Sequence, residues 1–232
     1  MRTQRGIGLV EMMVAITIGM LLVLGLGTVF VSVKQTSNLR QLLSVFQNNE
    51  RMASMFLNTS IRNAGFYPNP LLPNPFLVSG SFTTAGQSIV GTGTGTAGTD
   101  TLSVRFVADP VNTQAAQGCS AQLIVNHLYT DVFSVANGYL TCTETDNTAA
   151  SAPVTVNLVA GLTGMNVVYG VDTTSSGSVT EYLPGDSVGS AYWISNVRTA
   201  QITLLFNNPL AGQPGQAATV SLTQTIPYMI GL

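Results

Sequence analysis

The stretch Gly6-Ile7-Gly8-Leu9-Val10-Glu11 stands directly before the apolar segment that decides the fold. Residues 12–33 carry no formal charge, and at about 1.5 Å rise per residue a helix of that length spans a hydrocarbon core of about 30 Å. Glu11 therefore lies at the end of a predicted membrane anchor. A carboxylate at that depth is costly unless it is neutralised, so Glu11 is a candidate functional residue that needs a positive partner.

A chain amino terminus could be that partner. A cut after Gly6 would make Ile7 the first residue, with its α-ammonium group one helical turn before Glu11. The two groups could then meet within one chain, or between neighbouring chains that are staggered along the helix axis. A cut between Gly6 and Ile7 would therefore supply a partner for Glu11.

The stretch GIGLVEMMVA resembles the amino-terminal signal of type IV pilins and pseudopilins, in which Gly is followed by F-T-L-V-E-L. Ile7 stands where that signal usually has Phe, and Gly8 stands where it has Thr or Ser. The resemblance implies a prepilin peptidase that cuts after Gly6 and N-methylates Ile7, and an assembly role for Glu11. The alternative is a secretory signal or an ordinary anchor, but no A-x-A cleavage pattern follows the apolar core. Arg2 and Arg5 predict that the amino end faces the cytoplasm.

Charge is scarce and unevenly placed along the chain. Only 8% of the 232 residues are charged, and beyond residue 62 two basic residues face eight acidic ones, a formal charge of −6. Such a domain repels phosphate backbones, so we expect no direct binding of nucleic acid by the head. The sequence has no G-x-S-x-G or H-E-x-x-H motif and one histidine, so we expect no enzyme and no cofactor.

Both cysteines, Cys119 and Cys142, fall in the part that is predicted to lie outside the cytoplasm, where disulfides form. A disulfide between them is the first interpretation, although the sequence leaves their pairing open. We predict no metal site, because no C-x-x-C pair is present and His127 has no His or Cys neighbour at ligand spacing. His127 is predicted to face solvent on a strand.

The predicted architecture is α+β, with a long amino-terminal helix packed against an antiparallel β-rich head. We divide the chain into a leader (1–6), a helix (7–65, of which 7–33 is apolar and 34–65 amphipathic) and a head (66–232). Gly65 supplies the helix stop, and residues 91–98 are predicted to form a surface loop. Alternation of apolar and polar residues predicts strands at 101–107, 121–127, 132–136, 139–143, 154–159, 164–171, 179–183, 199–206 and 218–226.

Parts of the head resemble the PilW-type minor pilins. Residues 156–172 look like that group's LV-x-G-V-x-x-M-x-V-x-Y-G-V-D segment, and Trp193 followed by Val197 and Arg198 looks like its W-x-x-V-x-x-V element. The turn chemistry of Asp172 needs no ligand to explain it, and a calcium site with Glu181 and Asp186 fits no loop pattern. Trp193 is predicted to be a core residue.

The resemblance implies a minor pilin that takes part in assembly of a type IV pilus, in a tip complex, with pilus biogenesis, twitching motility, adhesion or DNA uptake as its outcomes. The implied partners are other minor and major pilins, the prepilin peptidase, the inner-membrane assembly platform and a tip adhesin. The implied location is the inner membrane, with the head in the periplasm, and then the pilus. A J-type pseudopilin of a type II secretion system is the alternative.

Overall fold

The computed structural model describes residues 8–68, 75–108, 118, 119 and 123–228. The chain divides into two compact units, residues 1–46 and residues 47–232. The first unit holds most of helix α1, which runs Leu9–Asn63. The second unit holds the rest of α1 and two antiparallel sheets. The predicted α+β architecture, a long amino-terminal helix and an antiparallel head, is confirmed.

In the part that the structure describes, the head contains nine strands, one short α-helix and a 3-10 turn at Gly185–Ser187. In chain order they are β1 (Ile89–Thr92), β2 (Thr101–Val107), β3 (Leu128–Ala136), β4 (Tyr139–Asp146), β5 (Val154–Ala160), β6 (Leu162–Val171), β7 (Glu181–Pro184), α2 (Tyr192–Ser195), β8 (Val197–Asn207) and β9 (Thr219–Pro227). One sheet has the order β1-β2-β3-β4-β5, and the other has the order β7-β6-β8-β9.

The chain crosses from the first sheet to the second at Gly161, where β5 ends and β6 begins. Its φ of 91° is a left-handed conformation that glycine adopts without steric cost. A bridge between Thr99 and Met165 ties the two sheets together again. Large side chains from both sheets fill the core between them, among them Leu102, Phe133, Leu140, Leu162, Met165, Ile202 and Leu204.

The head part of α1 packs through one face. Ala53, Leu57 and Ile61 recur at four-residue spacing and are fully buried, as expected for the core-facing stripe of an amphipathic helix. Asn49 Nδ2 donates to the carbonyl of Ala160 at 3.1 Å. Burial of each large side chain stabilises the head by about 1.5–3 kcal/mol. Residues 47–63 are therefore part of the head's core.

The helix ends where its glycine predicts. Gly65 has φ of 81°, and its N–H donates to the carbonyl of Arg105 on β2 at 2.9 Å. Phe66 N donates to Asn63 O at 2.9 Å, and its own carbonyl accepts from Val107 N at 3.0 Å. The terminal turn is thus tied to β2, which fixes the direction in which the chain leaves the helix.

Most predicted strands form, but one prediction is wrong. Of the strand predicted at 121–127, residues 121 and 122 lie outside the described part, and residues 123–127 make no strand. Ala108 N donates to His127 O at 3.0 Å, Asn126 N donates to Ala108 O at 2.9 Å, and Asn126 takes φ of 63°, so the chain turns here. The strand that pairs with β2 begins at Leu128 instead. Strand β1 is not predicted from the sequence: its Gly91 and Thr92 fall in the predicted surface loop of residues 91–98. The predicted Asn137-Gly138 hairpin is confirmed, with φ of 52° and 81° as a type I′ turn requires.

Candidate functional site

The amino end of α1 places Glu11 in the first helical turn. The carbonyl of Gly8 accepts the N–H groups of Glu11 at 3.0 Å and of Met12 at 3.2 Å, so the helix begins here. A carboxylate in the first turn interacts favourably with the helix dipole. Gly6 and Ile7 lie outside the described residues. The ion pairs of the described part are His127–Asp146 and Arg198–Asp172, and neither involves Glu11.

The helix behind Glu11 has an apolar surface on all sides. Leu9, Leu21 and Phe30 are each about 70% exposed or more. The segment reaches a mean hydropathy of 2.5 and is long and apolar enough to cross a membrane. At Gly19, Gly25 and Gly27 an added Cβ would meet nothing within 4 Å. This surface must be covered by lipid or by other helices, because so large an exposed apolar area is unfavourable in water.

The structure joins Cys119 to Cys142 in a disulfide, with Cα atoms 6.0 Å apart. The bond closes a loop with a sequence separation of 23, for which the chain-entropy model gives about 3 kcal/mol of stabilisation. Cys142 lies on β4 with its side chain fully buried. The bond fastens the segment at residues 118–119 to the inner face of the first sheet.

Two carboxyl groups lie beside this disulfide. Asp131 on β3 is directly opposite Glu144 on β4 in the strand register, and both are buried. Burial, and then the charge of Glu144 and a hydrogen bond with its side chain, raise the pKa of Asp131 well above its usual value. Asp131 alternates with the buried Phe133 along β3, and Glu144 alternates with the buried Leu140 along β4. This spacing in the sequence indicates that both acids face inward.

The only histidine is in a different place from the one predicted. His127 is half-buried in the loop before β3, and its Nδ1 lies 2.7 Å from Asp146 Oδ2. The other oxygen of Asp146 accepts the N–H groups of Thr148 at 2.9 Å and Ala149 at 3.0 Å. Burial alone would raise the pKa of Asp146, but these bonds lower it below its usual value. The contact between His127 and Asp146 thus joins the loop before β3 to the turn after β4.

Asp172 closes the turn after β6. Its Oδ1 accepts from Ser176 N at 3.0 Å and Thr174 N at 3.2 Å, and its Oδ2 accepts from Gly177 N at 2.6 Å. Arg198 Nη2 lies 3.6 Å from the same carboxylate. The predicted turn role is confirmed. Asp186 lies elsewhere and accepts from Gly93 N at 2.8 Å.

Two protein families match this chain, one at its amino-terminal helix and one in its head. Residues 128–228 match the family described as Type IV Pilus-assembly protein W, and residues 1–27 match the prokaryotic N-terminal methylation motif. The chain is a type IV minor pilin of the PilW type. The match of residues 128–228 spans strands β3 to β9, and the motif match spans Glu11 and much of the apolar helix.

Other comparisons add little. No curated protein matches the chain. A type IV-like pilin from Thermus thermophilus has a similar structure, with a TM-score of 0.47 and 11% identity over 78% of this chain and 96% of that chain. A likeness this distant carries no argument.

The family matches indicate the general role of this pilin. It belongs with proteins that assemble type IV pili, its partners are components of the pilus machinery, and its apolar helix and methylation motif suit membrane anchoring before export. Pilin families are structural proteins, which agrees with the expectation that the chain is not an enzyme. The same family match favours the pilus over the secretion pseudopilus.

Arg105 is a structural residue of this pilin that sequence reasoning missed. It is fully buried on β2, where its Nε donates to Gln87 O at 2.6 Å and its Nη1 to Leu77 O at 2.6 Å. Its guanidinium carbon lies 4.1 Å from the ring centre of Phe82. Burial lowers the pKa of Arg105 to about 10, so it stays charged at neutral pH. It holds the segment of residues 77–87 on the sheet.

The replacement Asp172→Asn should destabilise the head of this pilin at neutral pH and much less in acid. Burial alone would raise the pKa of Asp172, but the N–H groups of Ser176, Gly177 and Thr174 hold it below its usual value. The ionised form therefore stabilises the fold above the unfolded-state pKa of about 3.9, and this contribution is lost as pH falls through the folded-state pKa. The difference in melting temperature between the two proteins should shrink between pH 7 and pH 3. A difference that is constant with pH would contradict this role.

Proposed function

We propose that this minor pilin enters a type IV pilus after removal of a six-residue leader, with Glu11 paired to the methylated amino group of Ile7. The observation that carries the proposal is Glu11 itself. It is a first-turn carboxylate on an exposed apolar helix, it has no compensating cation among the described residues, and it lies inside the match to the methylation motif. The corresponding division of the chain is a leader (1–6), a helix (7–65) and a head (66–232).

Glu11 needs a positive partner both in the membrane and in the pilus. In hydrocarbon an unpaired carboxylate is costly, and so is one buried unpaired in a helix bundle. An α-ammonium group at residue 7 would lie one turn, about 6 Å, from Glu11 along the helix axis. Pairing between neighbouring chains would make this cost depend on axial register. The pair therefore favours helices that are staggered in the filament.

The apolar helix then has two successive environments. Before assembly lipid covers residues 7–33, with Arg2 and Arg5 on the cytoplasmic side and the head in the periplasm. On assembly the helices of other pilins replace the lipid. Gly19, Gly25 and Gly27 present small surfaces at which neighbouring backbones can approach closely. The assembly platform of the inner membrane would drive this transfer.

The head serves recognition within a tip complex of minor pilins. The PilW match begins at residue 128, so residues 66–118 are the part in which specificity for neighbouring pilins or a tip adhesin would lie. The excess of acidic residues in the head disfavours direct contact with nucleic acid. A role in DNA uptake, motility or adhesion would then be exerted through the assembled pilus.

Amino-terminal sequencing of the mature protein tests the leader and the methylation together. The expected first residue is N-methylated Ile7, and the precursor should accumulate uncut when the prepilin peptidase is absent. The control is Gly6→Val, which should block the cut because the side chain is bulky at the cleaved bond. A mature chain that starts at Met1, or beyond Val33, would contradict the proposal.

Deletion of the gene distinguishes the pilus from a secretion pseudopilus. The expected result is loss or shortage of surface pili with protein secretion intact. Normal pili together with defective secretion would favour the pseudopilin alternative.

A further inference from the structure

The head part of α1, residues 47–63, carries two arginines on one exposed side. Arg51 and Arg62 are both exposed. They are eleven residues apart, which is close to three helical turns, so they lie on the same side of the helix and about 16 Å apart along its axis. The residues three and four positions before and after each arginine are all uncharged. Neither arginine belongs to the ion pairs of the described part of the chain.

Glu50 is the one acid in this part of the helix, and it does not compensate the two arginines. It precedes the buried Leu57 by seven residues, or two turns, so it lies on the side of the helix that faces the core. Burial raises the pKa of Glu50, whereas an arginine in contact with it would lower that pKa. Arg51 and Arg62 therefore present unopposed positive charge to the outside.

A cavity of about 70 Å³ lies beside the arginines. Its lining carries no formal charge and consists of Met55, Phe56, Thr59, Ser60, Gly118 and Cys119. Met55 is 56% exposed, and it lies one turn after Arg51 and two turns before Arg62 on the same side of the helix. Cys119 is joined to Cys142, so its sulfur is part of an uncharged wall. The surface therefore combines one largely apolar recess with a guanidinium group on either side of it along the helix.

A second copy of this chain has few carboxylates to offer such a surface. The described acids of the head are mostly buried, namely Asp100, Asp131, Glu144, Asp146 and Asp172. Two described acids are exposed. Of these, Asp186 already accepts a hydrogen bond from Gly93 N, and Glu181 lies on the edge strand β7. The complementary carboxylates are therefore expected on a different chain.

We infer that Arg51, Met55, Arg62 and the cavity beside them, together called the arginine groove, are the docking surface for a different pilin of the same pilus. That pilin inserts one apolar side chain beside Met55 and places a carboxylate against each arginine. This inference rests on the proposed function, because it needs a neighbouring pilin. Charged pairs around an apolar contact contribute specificity and faster association. A nucleic-acid backbone would pair with the arginines but would leave the apolar cavity empty.

Photo-cross-linking from the groove tests which molecule occupies it. Met55→p-benzoylphenylalanine is introduced into the full-length chain, and irradiated membranes and sheared pili are analysed by mass spectrometry. Asn58→p-benzoylphenylalanine, one turn before Arg62, gives a second measurement in which the groove keeps Met55. The expected product joins either position to a different pilin, at a segment where an apolar residue has Asp or Glu close by.

Removal of the two charges tests the electrostatic part of the contact. The double replacement Arg51→Gln, Arg62→Gln should lower the yield of the cross-linked product by about tenfold. Added salt should lower the yield in the chain that keeps both arginines. Once the partner's segment is known, Arg51→Glu combined with an arginine in place of the partner's acid should restore the product that either change alone removes.

Arg198→Gln is the matched control. Arg198 is also a partly exposed arginine of the head, but it lies on β8 beside Asp172 of its own chain. Its replacement should leave the yield of the product unchanged. Trp193 fluorescence checks that each variant is folded, since this single tryptophan is buried in the head.

Three results would overturn the inference. A product only with a second copy, with lipid or with nucleic acid would identify a different occupant. An unchanged yield in the folded double variant would remove the charges from the contact. No product from either position, in pili that contain the chain, would show that no pilin occupies the groove, and this result would leave the proposed function intact. A chain that stays uncut and absent from pili would contradict the proposed function, and the inference with it.

Discussion

Glu11→Ala is expected to yield a pilin that is cut and inserted in the membrane but is excluded from pili. The exposed apolar surface of the anchor is unchanged by the substitution, so insertion should be preserved. The substitution removes the proposed charge pair with the amino terminus of Ile7, which would leave an ammonium group without its carboxylate in the bundle. Breaking a buried pair costs about 3–5 kcal/mol, which corresponds to a decrease in incorporation of about a hundredfold or more.

The measurement is the ratio of the variant in sheared pili to the variant in membranes, determined by immunoblot against the unsubstituted chain. Glu11→Gln should fail like Glu11→Ala, because the amide keeps the shape and lacks the charge. Thr17→Ala is the matched control in the same helix, since Thr17 Oγ1 bonds only to the carbonyl of Val14 at 2.9 Å. That variant should enter pili normally. Normal entry of Glu11→Gln would remove the charge pair from the mechanism.

Arg105→Met is expected to destabilise the head by about 2–4 kcal/mol, a decrease in melting temperature of roughly 5–15 °C. Two effects oppose each other here. Removal of a buried guanidinium relieves its desolvation, but the carbonyls of Leu77 and Gln87 lose their donors, and Gln87 is fully buried. Each unsatisfied buried carbonyl costs about 1–3 kcal/mol, and methionine cannot replace the contacts with the rings of Phe76 and Phe82. The lost hydrogen bonds should therefore outweigh the relief.

Thermal unfolding followed by Trp193 fluorescence measures this effect. Arg105→Lys should recover little stability, because one ammonium group cannot replace the planar fork that donates to both carbonyls. Arg198→Met is the control, since its side chain is 36% exposed and its partner Asp172 lies 3.6 Å away. A long, partly exposed contact of that kind contributes about 0–1 kcal/mol, and the buried Asp172 keeps its hydrogen bonds from Ser176 N and Gly177 N when Arg198 is replaced. Equal destabilisation by both replacements would show that burial of Arg105 is not the cause.

Elements with a local signal were predictable. The helix end at Asn63 follows from Gly65, which takes the left-handed conformation that a helix stop requires. The Asn137-Gly138 hairpin is equally local. The strand predicted at 121–127 is wrong over its described residues, 123–127, because alternation alone does not choose a pairing partner. The strand that pairs with β2 is β3, which begins at Leu128, and residues 123–127 form a turn before it.

The sequence by itself determined the anchor, the position of Glu11 in it and the family, because these depend on runs and motifs within short stretches of chain. Only the tertiary structure decided that Asp131 lies beside Cys119 and Cys142, and that Arg105 is buried against the carbonyls of Gln87 and Leu77 and the ring of Phe82. Those neighbours are far apart in sequence and meet through strand register and through the crossing between sheets at Gly161. Local sequence carries little information on such pairings, because their energy comes from packing that exists only once both sheets have formed.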